Sequence, residues 1–435
     1  MLTSLLCGKN LWQERIFRSY TSYCIGRRNI IKNLEPDKID IEQAADIIQP
    51  NIEPLTKTAL FKIKEALNKV SAKDIFAEID IPPFDRSPLD GFALRSNDTI
   101  DASVENQIRL NVTGKIFSGD VFSGDVAKGC AVRIMTGAAI PKTCDCVIRQ
   151  EDVEYNENDH TVIIKQKMAH NENYIFKGED IKCGTKIFAQ GTVLKSAHLA
   201  VLASLGIKNI ECYRPPRIGI LSTGSELLKA GDKLSGGKIY GSNDTLLFLR
   251  LKELGFDSTI MDTSADDPDL VAGQLKSIIE NIDIFISTGA VSVGEKDIFH
   301  DVFKILNVKK LFWGLNMRPG GATLCGIYRN VPLFCLSGNP FAAFIGFELI
   351  VRPALAKIAC RNDLFHTKTT AILTKAISSS PVRRFIRAFL ENGNVTPAAE
   401  NMAGQLYSLC ASNCVLDIAP SIDLKCGSPV PVIML

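Results

Sequence analysis

Three apolar runs in this chain of 435 residues end on hydroxyls and glycines. Residues 218–221 lead into Ser222-Thr223-Gly224, residues 284–286 into Ser287-Thr288-Gly289, and residues 333–336 into Ser337-Gly338-Asn339-Pro340. Ligands of open parallel sheets bind in the crevice beyond the carboxyl ends of the strands. Hydroxyls and glycine amides placed there, with a helix starting next, suit an anion. One such segment alone is more often a tight strand-to-helix turn. Three in one sheet point to a phosphate-bearing ligand.

Charged loops lie elsewhere. Asp85-Arg86-Ser87-Pro88-Leu89-Asp90-Gly91-Phe92-Ala93 packs two carboxylates around a turn, and Gly178-Glu179-Asp180 offers two more between Lys177 and Lys182. Hard oxygen donors of this kind suit Mg²⁺ shared with phosphate, although either loop alone reads as ordinary solvated acids. Met317-Arg318-Pro319-Gly320-Gly321 is the cationic counterpart, suited to an oxyanion or simply a surface turn. Nucleotide motifs fail on inspection. Gly231 to Lys238 has a P-loop outline, but Gly237 displaces the lysine and Ile239 stands where Ser or Thr would bind magnesium; no G-x-G-x-x-G follows a strand.

The elements that must position these loops can be read from texture. Residues 38–74 carry helical spacing, first through Ile39, Ile41, Ala44, Ala45, Ile47 and Ile48, then again over 57–70. From about 100 to 168 short β-type runs at 108–112, 131–134 and 161–165 alternate with Gly and Asp turns, predicting a small barrel or sandwich. Pro215-Pro216 marks a boundary. Beyond it, 217–221 reads as a parallel strand buried on both faces. Helices are predicted at 243–254 and 267–280, the second capped by Asp266 with Pro268 in its first turn. Strands at 283–287 and 332–336 and a long helix from about 341 complete a doubly wound α/β domain. The tail returns to short strands, with a hairpin at Glu391-Asn392-Gly393-Asn394.

Composition narrows the function classes. Charges nearly balance, 50 basic against 48 acidic side chains for a net +2, so a nucleic-acid partner is not expected. Five histidines, with no H-E-x-x-H, argue against histidine-based metal or triad chemistry. Thirteen cysteines are scattered, Cys144/Cys146 and Cys410/Cys414 being the closest groupings, which suits reduced thiols in the cytoplasm. The most apolar stretch, 341–359, is broken by Glu348, Arg352 and Pro353, so no membrane span is expected. Arg15, Arg18, Arg27 and Arg28 give the first 33 residues the look of a transit peptide, but no clear cleavage site follows. A disordered arm or an early start codon is the favoured reading.

Taken together, these residues resemble the molybdopterin molybdotransferase family, the bacterial MoeA type, whose relatives include the gephyrin E domain. The matching segments run in family order from about residue 38 to the C-terminus. They are Pro83-Phe84-Asp85 with Leu89-Asp90-Gly91-Phe92-Ala93, Arg133-Ile134-Met135-Thr136-Gly137-Ala138, Gly178-Glu179-Asp180-Ile181, Leu221-Ser222-Thr223-Gly224-Ser225-Glu226-Leu227, Gly289-Ala290-Val291-Ser292-Val293-Gly294, Met317-Arg318-Pro319-Gly320 and Leu336-Ser337-Gly338-Asn339-Pro340.

The resemblance implies a multi-domain α/β plus β protein that forms an elongated homodimer. Its expected parts are a basic extension (1–37), a discontinuous helical domain (38–88 and 169–213), an inserted β domain (89–168), an α/β molybdopterin-binding domain (214–361) and a C-terminal β domain (364–435). It implies that adenylylated molybdopterin and molybdate react, with Mg²⁺, to give molybdenum cofactor and AMP. Asp90, Glu179 and Asp180 would be the catalytic carboxylates, with Asp90 and Glu179 holding the metal. Thr136, Ser222, Thr223, Gly224, Glu226, Ser242, Asn243, Thr288, Gly289, Ser292, Gly294, Asp297, Ser337, Gly338 and Asn339 would bind substrate. Arg318, followed by Pro319 and Gly320, would attract molybdate. Charge positioning of this kind needs little proton shuttling, in keeping with the few histidines.

The chain departs from the family pattern at four positions. An acidic residue usual in the loop Tyr240-Gly241-Ser242-Asn243 is Gly241, a lysine common after Pro-Gly is Gly321, a serine two residues after Asn-Pro is Ala342, and one glycine of Gly-Gly-Val-Ser is Ala290. Arg318 is therefore expected to carry more of the anion affinity, and a lysine restored at Gly321 to strengthen it. Two other readings keep the fold: a molybdopterin-binding scaffold without turnover, and a molybdopterin adenylyltransferase. Single-domain relatives of the second kind lack the Asp-Gly-Phe-Ala and Gly-Glu-Asp segments.

Overall fold

The computed structural model describes residues 38–261, 266–291, 298–399 and 402–435. Its central sheet has six strands in the order Ser258–Ile260, Ile218–Ser222, Ile284–Thr288, Val331–Leu336, Leu324–Tyr328, Lys309–Trp313. The first four are parallel. The last two run antiparallel, an edge hairpin that the alternating pattern does not reveal. Every residue of the three middle strands is buried, as a parallel strand covered on both faces requires. One face packs Leu247, Leu251 and the helix following Asn339 against Ile220, Ile286 and Phe334. The other packs Val271, Leu275, Phe299 and Val302 against Leu221, Phe285 and Leu333. The expected doubly wound domain is present.

Local chemistry explains its helix boundaries. Pro268–Ile278 is capped by Asp267, not Asp266: the Asp267 carboxylate accepts from the amides of Asp269 (2.9 Å) and Leu270 (3.2 Å). Asp266 instead accepts from the amide of Ser225. The apolar helix from Pro340 carries a π-turn at Phe347–Val351, just before Pro353, a residue with no N–H to return to the preceding turn.

The predicted helix over 57–70 is absent. Thr58–Lys62 is a strand paired antiparallel with Asn209–Tyr213, and Leu60, which a helical face would bury, is 69% exposed. Alternate residues Ala59 and Phe61 turn inward instead, because a partner about 150 positions downstream supplies the ladder. The helix Ile41–Ile48 does form, with the Gln43 side chain accepting the Asp40 amide at 2.9 Å. Its Ala44 and Ile48 join the core of the α/β domain.

The inserted domain is a six-stranded sheet ordered Cys146–Arg149, Gly91–Leu94, Cys130–Ile134, Ile108–Ile116, Thr161–Ile164, Glu154–Asn156. Phe92 and Leu94 face one apolar cluster and Ala93 the other, so Gly91–Leu94 is buried throughout. The C-terminal strands Arg383–Glu391, Asn394–Pro397, Lys368–Leu373, Pro429–Met434 and Cys414–Ile418 close into a barrel, because the first also pairs with the last. The predicted hairpin turns at Asn392 and Gly393, both at positive φ (49° and 78°), as a two-residue primed turn demands.

Among the described residues eleven cysteines are free, and Cys144, Cys146, Cys212, Cys325, Cys335 and Cys414 are buried. Among them no helix is long and apolar enough to cross a membrane.

Candidate functional site

The three expected strand ends are adjacent and level. Ser222 is in register with Thr288, and Thr288 with Leu336. Side-chain and backbone bonds knit them together: Ser222 Oγ meets Thr288 Oγ1 at 2.9 Å, the Thr223 amide donates to Thr288 O at 3.0 Å, and the Gly289 amide donates to Leu336 O at 3.0 Å. Gly289 has φ 92°, and a Cβ there would lie 2.4 Å from Thr223 O, so glycine is required for the strands to close.

Two of the expected anion features are therefore spent within the fold. The amides of Thr223 and Gly289 are consumed by neighbouring strands, and the hydroxyls of Ser222 and Thr288 by each other. Among the described residues, only the third strand end passes straight into a helix, Pro340–Gly346 after the N-cap Asn339. Its first-turn amide at Phe341 is taken by Ala403 O of the C-terminal domain at 3.1 Å. What faces outward at these ends is half-buried Ser337 with exposed Gly338 and Asn339.

A long excursion returns the chain to the same place. Leu227–Leu228 pairs with Ile239–Tyr240, the Glu226 carbonyl accepts the Ile239 amide at 2.9 Å, and Lys238 donates to Ser225 O. The helix Asn243–Glu253 then begins behind the N-cap Ser242. Asn243 Nδ2 donates to Gly338 O at 2.7 Å, while its Oδ1 is buried without a partner. Asn243 is only 8% exposed, so an unpaired amide oxygen beside Gly338 is a costly arrangement unless a ligand donates to it. Ser292, Gly294 and Asp297 lie outside the described residues.

The cationic loop borders the third strand end. Thr323 Oγ1 donates to Gly320 O at 2.9 Å, and Gly320 sits against Ile345 and Ala342 of the following helix. The Arg318–Pro319 peptide is cis, and Arg318 is exposed, its side chain making no hydrogen bond or ion pair with a described residue. A lysine restored at Gly321 does not fit as expected: its Cβ would meet Met317 O at 2.9 Å and Leu315 O at 3.1 Å, both backbone atoms. Gly241, by contrast, would put a Cβ no closer than 3.7 Å to Leu228 O, so its missing acid is a matter of side chain and not of space.

Ala290 stands where the family has glycine and holds φ 52°. A left-handed alanine costs roughly 1–2 kcal/mol. Ala290→Gly is accordingly expected to raise the unfolding free energy by about 0.5–1 kcal/mol, measured by urea titration. A decrease would mean that the methyl group packs usefully.

The acidic segments meet in the inserted domain and its root. The amide and carbonyl of Arg86 exchange bonds with Ile175, the Ser87 amide donates to Ala138 O, and the Gly137 amide to Ser87 O. Asp85 accepts from Tyr174 Oη and the Lys177 amide, both at 2.7 Å. Asp90 Oδ1 accepts from both the amide and the hydroxyl of Thr136 at 2.7 Å. Those two bonds, the hydroxyl first, with Arg133 nearby, hold the Asp90 carboxyl below its usual range, so it is anionic at neutral pH. Gly91 fixes its place: a Cβ there would lie 1.9 Å from Ile148 O. Glu179 is exposed and accepts the Phe176 amide at 2.8 Å. Asp180 is exposed, anchored through its amide to Ile81 O. The sequence singles out Asp90 as a catalytic acid and Thr136 as a substrate-binding residue, and the structure bonds the two to each other. It misses Asp85 as the residue that ties the two acidic turns together, for which its place in Pro-Phe-Asp was the available signal.

The donors present suit a magnesium ion shared with phosphate, which takes one or two carboxylates and fills its remaining positions from phosphate and water. Among the described residues no three acidic, histidine or cysteine side chains converge into a complete metal cage.

Comparison with known proteins agrees with this fold. Residues 39–206 match the MoeA N-terminal region (domain I and II), and residues 219–357 match a probable molybdopterin binding domain. The chain is 36% identical over 378 residues to a molybdopterin molybdenumtransferase of Staphylococcus aureus (strain COL), covering 86% of this chain and 90% of that protein. It is 34% identical over 397 residues to one from Staphylococcus epidermidis, covering 89% and 93%. The structure of a molybdopterin biosynthesis MoeA protein from Pyrococcus horikoshii superposes with a TM-score of 0.75 at 30% identity, covering 92% of this chain and 100% of that one. With the strand-end crevice, the acidic turn and the barrel all in place, the chain belongs to the molybdopterin molybdenumtransferase family.

Proposed function

We propose that this protein is a molybdopterin molybdenumtransferase, acting on adenylylated molybdopterin and molybdate to give molybdenum cofactor and AMP. The observation that carries the reading is the level crevice at Thr223, Gly289 and Ser337, with the unpaired Asn243 Oδ1 beside it. In this reading Ser337, Gly338, Asn339 and Asn243 hold the pterin and its phosphate, Gly224, Glu226 and Ser242 shape the rim, and Thr223, buried with its hydroxyl on Thr288 O, braces the first strand end. Ser222, Thr288 and Gly289 hold the strand ends at the spacing the ligand needs.

Asp90, kept anionic and oriented by Thr136, and Glu179 would hold Mg²⁺, with Asp180 beside them. The ion, when bound, neutralises phosphate charge and orients the bond that breaks. Arg318 would draw in molybdate, because a guanidinium offers two parallel donors to an oxyanion. Pro319 and Gly320 hold that loop against the helix. The acidic turns and the crevice belong to different domains, so we place them together across a two-fold interface of a homodimer. A cytoplasmic site of action accords with this chemistry.

Purified protein is expected to release AMP from adenylylated molybdopterin only when molybdate and Mg²⁺ are both present. Pterin binding with no AMP release would instead establish a scaffold, the reading that Gly241 favours.

A further inference from the structure

Met317–Arg318 adds to the edge of the C-terminal barrel, pairing in parallel with the start of Arg383–Glu391. Met317 is in register with Arg383, and Arg318 with Arg384. Register partners on parallel strands share a face and stand about 4.8 Å apart. The two faces are treated differently. On one, Met317 is buried and Arg383 is neutralised, its guanidinium on Asp417 (2.6 and 2.7 Å) and Glu42 (2.8 and 3.0 Å). On the other, Arg318 is exposed without a partner, and Arg384 donates only to Ser378 O, its Nε buried and unbonded. Neither Arg318 nor Arg384 forms an ion pair with a described residue.

Two guanidinium groups rooted at register partners on one face, with no carboxylate between them, repel each other. An anion lying between them removes that cost and completes the donors of both. Gly321 cannot carry a second cation in this loop, for the steric reason given above. We infer that Arg384, contributed by the C-terminal barrel, supplies it: Arg318 and Arg384 form a two-guanidinium site for a tetrahedral dianion. The inference rests on the proposed role of Arg318 in taking up molybdate, and adds a specificity-determining residue from another domain. The same chemistry would fit a phosphate of the pterin substrate, so the test separates the two sources.

Sodium molybdate is titrated calorimetrically into the whole protein and into Arg318→Gln, Arg384→Gln and Arg384→Lys, with adenylylated molybdopterin titrated in parallel. Both glutamine variants are expected to weaken molybdate binding about 10-fold or more, with pterin binding within about twofold. Arg384→Lys, which keeps the charge but loses the fork, is expected to fall between. If Arg318→Gln weakens molybdate binding and neither Arg384 variant does, the two-guanidinium site is overturned and the Arg318 reading stands. If no variant changes molybdate binding, the Arg318 reading falls too. Equal loss of pterin binding in the Arg384 variants would assign the residue to the pterin phosphate and overturn the inference. Circular dichroism of each variant identifies one that has not folded, and the lysine variant then decides.

Discussion

Asp90→Asn is expected to lower AMP release by about 100-fold or more, the scale on which removing one preorganised electrostatic partner of a reacting group acts. The substitution isolates charge from structure. Asparagine keeps an Oδ1 that can accept from the Thr136 amide and hydroxyl, so the turn into Gly91–Leu94 survives. Unfolding free energy should stay within about 0.5 kcal/mol of the native chain. Glu179→Gln should behave alike, because Glu179 is exposed and its local partner is one backbone amide. A chain that loses stability in proportion to activity would make these acids turn residues. Mixing Asp90→Asn subunits with Ser337→Trp subunits tests the assembly. If the site spans a two-fold interface, one composite site per mixed dimer is intact and part of the activity returns. No recovery in a mixture shown by sedimentation to have exchanged subunits would place both halves in one chain.

Glu348→Gln is expected to cost about 3–5 kcal/mol in urea unfolding at neutral pH. Glu348 sits in the π-turn, its side chain 1% exposed, and its carboxylate meets Arg250 Nε (2.6 Å), Arg352 Nη1 (2.7 Å) and His366 Nε2 (3.0 Å). Arg352 also donates to Leu364 O, and His366 Nδ1 lies 2.8 Å from Met434 O. The cluster thus joins the α/β domain to the last strand of the barrel. Removing its one buried anion leaves Arg352 in the interior without a counter-charge and Arg250 with only the more exposed Glu253. Burial pushes the Glu348 pKa up, but the His366 hydrogen bond and the Arg250 charge outweigh it and hold it at about 2, against an ordinary 4.5. The sign follows from that depression. The stabilisation is fully present above the unfolded value and is lost as pH falls from about 4.5 to about 2. Native protein should therefore lose stability over that acid range by a component that Glu348→Gln lacks. Matching acid profiles for the two chains would remove Glu348 from the account.

Some features are legible because they depend on residues close in the chain. Continuous apolar runs must be buried on both faces, so the parallel strands could be read from 218–221, 284–286 and 333–336. Asn392-Gly393 can adopt two positive φ values, so its hairpin could be read from a dipeptide. Asp267 rather than Asp266 caps its helix, a one-residue error of the kind that cap geometry alone resolves.

The motif order carried the family and the α/β core, because each strand-end loop must satisfy its own local sterics: Gly289 cannot be anything larger against Thr223, nor Gly91 against Ile148. What remained undecided depends on distant partners. Thr58–Lys62 is a strand only because Asn209–Tyr213 reaches it, and the barrel closes only because Arg383–Glu391 finds Cys414–Ile418. Whether the Thr223 and Gly289 amides face a ligand or a neighbouring strand is settled by register, as is the neighbour of Arg318. Types and spacing along the chain select which groups are available. Pairing between segments from about 30 to about 150 residues apart, which no local propensity encodes, decides which of those groups remain unbonded and face the same space.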